Sequence, residues 1–231
     1  MLAIVPARGG SKGIPRKNVV PVGGRALISW TICAALRARS IDRVVVSTDD
    51  PRIRKAALDC GAEVPFTRPA RLSTDSASTM DVLVHALKWL SRHEEYLPEY
   101  VMCLQPTSPL RTALDIDRAV EIARARKADS VVSLVAVSQH PEWMNQLEPS
   151  GRIRPLKARS GNGGRRQVLA KLFVPNGAIY LARRMVLLTR RTWYVREAFG
   201  YVMPQNRSLD IDTPFDLALA SQALLDRKRS R

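Results

Sequence analysis

Acidic residues are the scarce component of this 231-residue chain. Twenty-one Asp and Glu stand against 37 Lys and Arg, a formal net charge of +16. The shortage points to anionic partners: nucleic acid, a membrane surface or acidic small molecules. Cysteine is nearly absent, and the three present (Cys33, Cys60, Cys103) are widely spaced and odd in number, which excludes a disulfide framework. The three histidines (His85, His93, His140) form no metal-ligand pattern with them. Aromatics are only 6% of residues, too few for a basic face studded with stacking side chains of the nucleic-acid-binding kind. Apolar runs are short, such as Val44-Val45-Val46, and none can span a bilayer. The start, Met1 to Val5, has no basic segment before it and meets Pro6 and Arg8 too early for a signal peptide, so a cytoplasmic globular protein is expected. Both G-x-G-x-x-G and G-x-x-x-x-G-K-[ST] are missing, which removes the dinucleotide fingerprint and the Walker loop.

What is present is enough apolar material, 45% of residues, for one core, and a length that fits one domain, 1–231. Short β-branched runs alternate with helical patterns. Strands are expected at 2–5, 43–47, 100–104 and 130–137, and a helix over 26–39. Asp50-Pro51 opens a second helix as N-cap and first-turn proline. Ser78 with Asp81, and Thr112 with Asp115, read as capping boxes, the latter before a helix to about Lys127. Thr213, Pro214 and Asp216 start a last helix with Leu217, Leu224 and Leu225 on its apolar side. Alternation of this kind makes an α/β domain, Rossmann-like and three-layered, with a mostly parallel sheet. Ligands bind such sheets beyond the carboxyl ends of the strands. The stretch 138–170, rich in Gly, Ser, Arg and Pro, breaks the rhythm and reads as an inserted arm.

The loop after the first strand carries the strongest signal. Between Pro6 and Asn18 lie Gly9, Gly10 and Gly13 together with Arg8, Lys12, Arg16 and Lys17, and the first acid of the chain is Asp42. Glycines free the backbone to turn its N–H groups onto an anion, and the four cations add charge, so the loop is a polyphosphate cradle.

This loop resembles the opening of the CMP-sialic acid synthetases (acylneuraminate cytidylyltransferases). The resemblance continues in order through Val46-Ser47-Thr48-Asp49, Arg68-Pro69, Asp75-Ser76-Ala77-Ser78-Thr79, Leu104-Gln105-Pro106-Thr107-Ser108-Pro109-Leu110-Arg111, Ser130 to Ser133, Arg166-Gln167, Pro175 to Tyr180 and Asp210-Ile211-Asp212-Thr213. It implies a nucleotide-diphospho-sugar transferase fold and the transfer of CMP from CTP to an acidic nine-carbon sugar. It further implies Mg²⁺ as cofactor and a homodimer that uses the 138–170 arm. By the same resemblance, Arg8, Gly10, Ser11, Lys12, Lys17, Asn18, Arg68 and Thr79 contact the nucleotide. Lys17 is the group that stabilises charge on the transferring phosphate, with Arg8, Lys12 and Asp212 as further catalytic groups. Asp210 and Asp212 hold the metal; a helix-capping role is the alternative for Asp212. Gln105, Arg166, Asn176, Tyr180, Trp193 and Tyr194 contact the sugar, and plain packing is an equal alternative for Trp193 and Tyr194. The attacking hydroxyl loses its proton to Asp212 or to a hydroxide on the metal.

Three positions depart from the sialic acid pattern. Val174 replaces a frequent arginine, Trp143 stands near a usual lysine, and Arg71 replaces a usual glutamate. The first two favour a less polar sugar of the legionaminic type, with neuraminic acid an equal alternative and pseudaminic acid or Kdo behind them. Outside the family, a basic nucleic-acid-binding protein is the remaining class.

Overall fold

The computed structural model describes residues 1–11, 13–156 and 169–229. Strand β1 (Leu2–Pro6) leads through the basic loop into a short hairpin, β2 (Pro21–Val22) and β3 (Arg25–Ala26), and then helix α1 (Leu27–Arg37). There follow β4 (Arg43–Ser47), α2 (Pro51–Asp59), α3 (Thr79–Glu94), β5 (Tyr100–Cys103), α4 (Ala113–Ala125) and β6 (Ser130–Ala136). A second hairpin, β7 (Asn145–Leu147) and β8 (Ile153–Pro155), precedes β9 (Phe173–Arg183), α5 (Arg184–Thr189), β10 (Ala198–Val202) and α6 (Pro214–Arg229).

Six strands form one sheet in the order β10-β6-β9-β5-β1-β4. The pairs β1 with β4, β1 with β5 and β6 with β10 are parallel, whereas β9 runs antiparallel to both β5 and β6. Side chains of β1 alternate between the faces, as the strand period requires. Ala3 and Val5 join Ile28, Ile32, Ile116 and Val120 beneath α1 and α4, and Leu2 and Ile4 join Leu83, Leu87, Leu90 and Leu187 beneath α3 and α5. The sheet is therefore buried on both faces, and the three layers expected from the sequence are present.

The helix starts follow local chemistry. Asp50 accepts hydrogen bonds from the amides of Arg52 and Ile53, with Pro51 in the first turn. Thr112 and Asp115 form the full reciprocal box. Ser78 caps α3, but Asp81 does not close the box; it pairs with Arg191 instead. At α6 the Thr213 hydroxyl accepts from the Asp216 amide at 3.3 Å, and Asp216 Oδ2 accepts from the Thr213 amide at 2.8 Å. Leu224 is buried there and Leu217 partly so, but Leu225 is 40% exposed, because only one narrow stripe of α6 meets the small cluster of Ile14, Val22, Leu27, Leu110 and Ile211.

Besides the two short hairpins, two strands of the main sheet escaped the sequence reading. β9 opens with Phe173-Val174-Pro175-Asn176-Gly177, and its pairing with β6 shifts register between Val132 and Leu134. Gly177 sits there at φ 75°, in the left-handed region that suits glycine. The Ser133 hydroxyl fills the bulge, donating to Asn176 Oδ1 at 2.6 Å and accepting from the Ile179 amide at 2.7 Å. β10 carries Gly200 in its centre, where a Cβ would meet Leu134 Cδ1 at 2.6 Å. Of the 138–170 arm, the described part includes a 3-10 turn at Pro141–Trp143 and the β7–β8 hairpin, all of whose strand residues are exposed; residues 157–168 lie outside the described residues. No helix among the described residues is long and apolar enough to cross a membrane.

Asp115 does more than cap α4. Its side chain is fully buried and accepts from Arg207 Nη2 at 2.8 Å, Arg207 Nε at 3.0 Å and the Tyr201 hydroxyl at 2.8 Å. Burial opposes its ionisation, but the bonds from Arg207, Thr112 and Tyr201 outweigh that and hold the carboxyl below its ordinary range. A depressed carboxyl stabilises the fold above its unfolded pKa, about 4, and that contribution is lost as pH falls through the folded value. Asp115→Asn should therefore cost about 3–5 kcal/mol at neutral pH by urea titration, the range for breaking a buried pair. The gap from the parent should close in acid; a gap that stays constant with pH would contradict the assignment.

Candidate active site

A cleft of about 270 Å³ opens beyond the carboxyl ends of β1 and β5. The basic loop, the turn around Arg68, the 74–79 segment and the 105–107 turn wall it. Of the residues expected at a nucleotide, Arg8, Gly10, Ser11, Lys17, Asn18, Arg68 and Thr79 line this one cleft, and Gln105, expected at a sugar, lines it too. Lys12 and Arg166 lie outside the described residues.

The loop is held by acids from elsewhere in the chain. Arg8 Nη2 pairs with Asp75 Oδ1 at 2.6 Å, and the Gly9 amide donates to Asp49 Oδ1 at 3.1 Å. Asn18 Nδ2 donates to the Arg8 carbonyl at 2.9 Å and so fixes the turn from inside. Arg16, just before Lys17, takes φ 55°, a left-handed conformation that folds the chain back on itself. Lys17 Nζ then reaches the Ile211 carbonyl at 2.7 Å and Asp212 Oδ1 at 3.1 Å. Gly13 permits this approach, because a Cβ there would lie 2.7 Å from the Asp212 carbonyl oxygen.

Ile211 is fully buried and its amide donates to the Thr107 carbonyl at 2.9 Å. The two flanking aspartates meet different surroundings. Asp212 has 75% of its side chain exposed and is held by Lys17; Thr213 takes the capping position, which leaves Asp212 uncommitted to the helix. Asp210 is partly buried, and its Oδ1 is sealed from solvent with no hydrogen-bond partner among the described residues. Burial, with the Asp212 charge adding to it, pushes the Asp210 carboxyl above its ordinary range, against the pull of Thr107 and Lys17. Gly177 leaves room for this carboxylate: a Cβ at that position would stand 3.2 Å from Asp210 Oδ2.

Two of the expected ligand residues also make bonds within the fold. Arg68 is 4% exposed, donates through Nε to Ser47 Oγ at 3.1 Å and bonds the Ser47 carbonyl through Nη2. Burial, the largest influence, lowers its pKa to about 10. Arg68 thus shapes the cleft wall at the end of β4. Asn176 is 6% exposed and has both ends of its amide engaged: Oδ1 accepts from Ser133 Oγ and the Ala178 amide, and Nδ2 donates to Ser208 Oγ at 2.9 Å. It is a polar knot in the β6–β9 bulge, with its amide atoms satisfied from within the fold.

Tyr180, Trp193 and Tyr194 gather on the α3 side of the sheet. Tyr180 and Trp193 have ring centroids 5.4 Å apart, and burial pushes the Tyr180 hydroxyl up to about 12. Tyr194 is 63% exposed. The reading of the residues had not singled out Asp75, Thr107 or Arg111 as parts of the site. Arg111 is 3% exposed and has no carboxylate within ion-pair distance among the described residues; it donates to the Ala178 carbonyl at 2.6 Å, Thr31 Oγ1 at 2.6 Å and the Gln105 carbonyl at 3.3 Å. It therefore sets the 105–111 turn against β9. Its position in Leu104 to Arg111 was the available signal, but contacts with backbone carbonyls leave no mark in a sequence.

Comparison with known proteins agrees with this geometry. The chain matches the family model described as cytidylyltransferase over residues 2–152. It is 35% identical over 217 residues to an N-acylneuraminate cytidylyltransferase of Streptococcus agalactiae serotype V, covering 93% of this chain and 51% of that one. The chain thus spans about half the length of that relative. It is 31% identical to a CMP-N,N'-diacetyllegionaminic acid synthase of Legionella pneumophila, covering 97% of this chain and 96% of the other, and 32% identical to a pseudaminic acid cytidylyltransferase of Campylobacter jejuni, covering 95% and 94%. Among solved structures, a CMP:2-keto-3-deoxy-manno-octonic acid synthetase complexed with CTP superposes with a TM-score of 0.68 at 20% identity, covering 99% of this chain and 98% of the other, which shows a shared fold. With the basic loop, the acid pair and the three-layer sheet in place, the chain belongs to the cytidylyltransferase family.

Proposed function

We propose that the protein transfers CMP from CTP to the anomeric hydroxyl of a nonulosonic acid. The hydroxyl oxygen bonds to the α-phosphorus, the bond from that phosphorus to the bridging oxygen breaks, and pyrophosphate departs with the electron pair. The observation that carries this reading is the convergence of Arg8, Lys17, Asn18 and Thr79 on one cleft, with Asp210 and Asp212 beside Lys17. It is supported by relatives named for this chemistry over nearly the whole chain.

Each residue has a task in that scheme. The amides of Gly10 and Ser11 face the phosphates with Arg8, whose Asp75 partner is displaced as the triphosphate enters. Lys17, held at its two acceptors, stabilises the charge that develops as pyrophosphate leaves. Asp212, exposed beside it, takes the proton of the acceptor hydroxyl. Gln105 and the Tyr180–Trp193 pair bound the sugar side, and Arg166, outside the described residues, is the guanidinium for its carboxylate.

A divalent metal fits the acid pair. Asp210 Oδ1 is a buried oxygen with no partner among the described residues, and two carboxylates with phosphate oxygens and water complete the hard ligand set that Mg²⁺ takes. The described residues hold no group of three or more His, Cys, Asp and Glu arranged for a metal, which agrees with a site that nucleotide completes. Bound there, Mg²⁺ would neutralise phosphate charge.

Trp143 packs at 5.9 Å from His140 beside a cavity of about 460 Å³ that Phe173 also lines. Lys171 lines this cavity as well; Trp143, with Val174 in place of a cation, supports a less polar acid of the legionaminic type, with neuraminic acid an equal alternative. The β7–β8 hairpin shows Leu147 75% and Ile153 70% exposed on directly paired positions. Such side chains are covered in a homodimer joined through the arm, and a monomer by light scattering at assay concentration would contradict that.

Pyrophosphate release from CTP and Mg²⁺ is expected with N,N'-diacetyllegionaminic or N-acetylneuraminic acid, and not with UTP or ATP; no release with any nonulosonic acid would overturn the reading. Lys17→Ala should lower kcat by about 10²–10³-fold, the cost of one lost transition-state contact. Asp210→Asn should abolish turnover yet melt higher than the parent in chelator at neutral pH. A raised carboxyl stabilises the fold only below its unfolded pKa, and that stability is lost as pH rises through the folded value. The melting gap should thus vanish in acid, and an Asp210→Asn protein that melts lower at neutral pH would contradict the burial argument.

A further inference from the structure

We infer a second anion site, for a phosphate-bearing ligand of nucleotide size, in the groove between α3 and the start of the 191–194 segment. Its cavity is about 640 Å³, within the range of small-molecule sites and separate from the catalytic cleft. Four cationic side chains line it: Arg71, Lys88, Arg92 and Arg191. Its one lining carboxylate, Asp81, is already paired with Arg191, so three positive charges remain uncompensated. Arg71, Lys88 and Arg92 have no acidic partner among the described residues, and all three are exposed on different turns of the wall.

The groove is built rather than incidental. Trp89 forms its apolar side and is clamped by His93, stacked at 4.5 Å and 12°. His85 Nδ1 is buried without a hydrogen-bond partner among the described residues, and its ring packs edge-on against Phe66 at 5.1 Å. Burial first, then the charges of Arg71 and Arg68, lower the pKa of His85. The imidazole thus senses an excess of positive charge that a bound anion would cancel. Arg191 takes φ 51°, the left-handed backbone that turns it back onto α3. Leu72 walls both the groove and the catalytic cleft, which places the Ala70–Leu72 turn between two anion sites.

Calorimetric titration tests the inference, with CMP and inorganic pyrophosphate as separate probes. Their comparison separates a nucleotide from a bare phosphate. The wild-type chain should bind two equivalents of the preferred probe, the Lys88→Glu/Arg92→Glu variant one. Lys17→Ala should keep the equivalent that the double variant loses. The single exposed change Arg92→Gln, with an unchanged melting temperature, should weaken that equivalent about tenfold or more, the loss expected for one charged contact. An isotherm for the double variant that matches wild type in stoichiometry and affinity would overturn the site. It would leave the catalytic reading intact, since that depends on Lys17 and turnover.

Discussion

The bond from Lys17 to the 211–212 segment is the contact on which the rest of the site depends. It joins residues 194 positions apart, through the Ile211 carbonyl and the Asp212 carboxylate. Beneath it, Ile14 and Ile211 share a cluster with Leu27 and Leu224, so the basic loop, the acid pair and α6 are packed as one unit. In sequence the loop has no acid near it. In the fold it has three, Asp49, Asp75 and Asp212, each drawn from a different segment. A loop of like charges would repel itself open. Compensation from distant acids holds it in a shape that an incoming triphosphate can use.

Much of this was legible in the residues where the chemistry is local. Asp50, Thr112 and Thr213 announce helix starts because a capping side chain acts within three or four positions. The loop from Pro6 to Asn18 was legible because glycines and cations cluster in it. Less legible were features decided across the sheet. β9 carries Pro175, Asn176 and Gly177, residues that argue against a strand, and only the bulge opposite Ser133 reconciles them with one. For the same reason the bonding of Asn176 is hidden in sequence: apart from the Ala178 amide, its partners Ser133, Met203 and Ser208 lie in other segments. The bond from Arg68 to the end of β4 was equally hidden, since a guanidinium that bonds a strand end has the same sequence signature as one that bonds phosphate.

The site concentrates its electrostatic cost at one atom. Asp210 Oδ1 is buried without a partner among the described residues, and its carboxylate stands near a second one. Such an arrangement destabilises the empty protein and is relieved when a cation arrives. The net charge of +16 is in part explained by the same logic. Cations line the cleft and, separately, the α3 groove, and these few account for only a part of the excess.

Under the proposed function, Asp210 receives a divalent metal together with the nucleotide. Measuring the Kd for CTP with Mg²⁺ and with chelator, in wild type and in Asp210→Asn, tests it most directly. The account predicts that Mg²⁺ tightens CTP binding in the wild-type protein by about tenfold or more, the loss or gain of one charged contact, and that Asp210→Asn loses that gain. An equal gain in both proteins would contradict it.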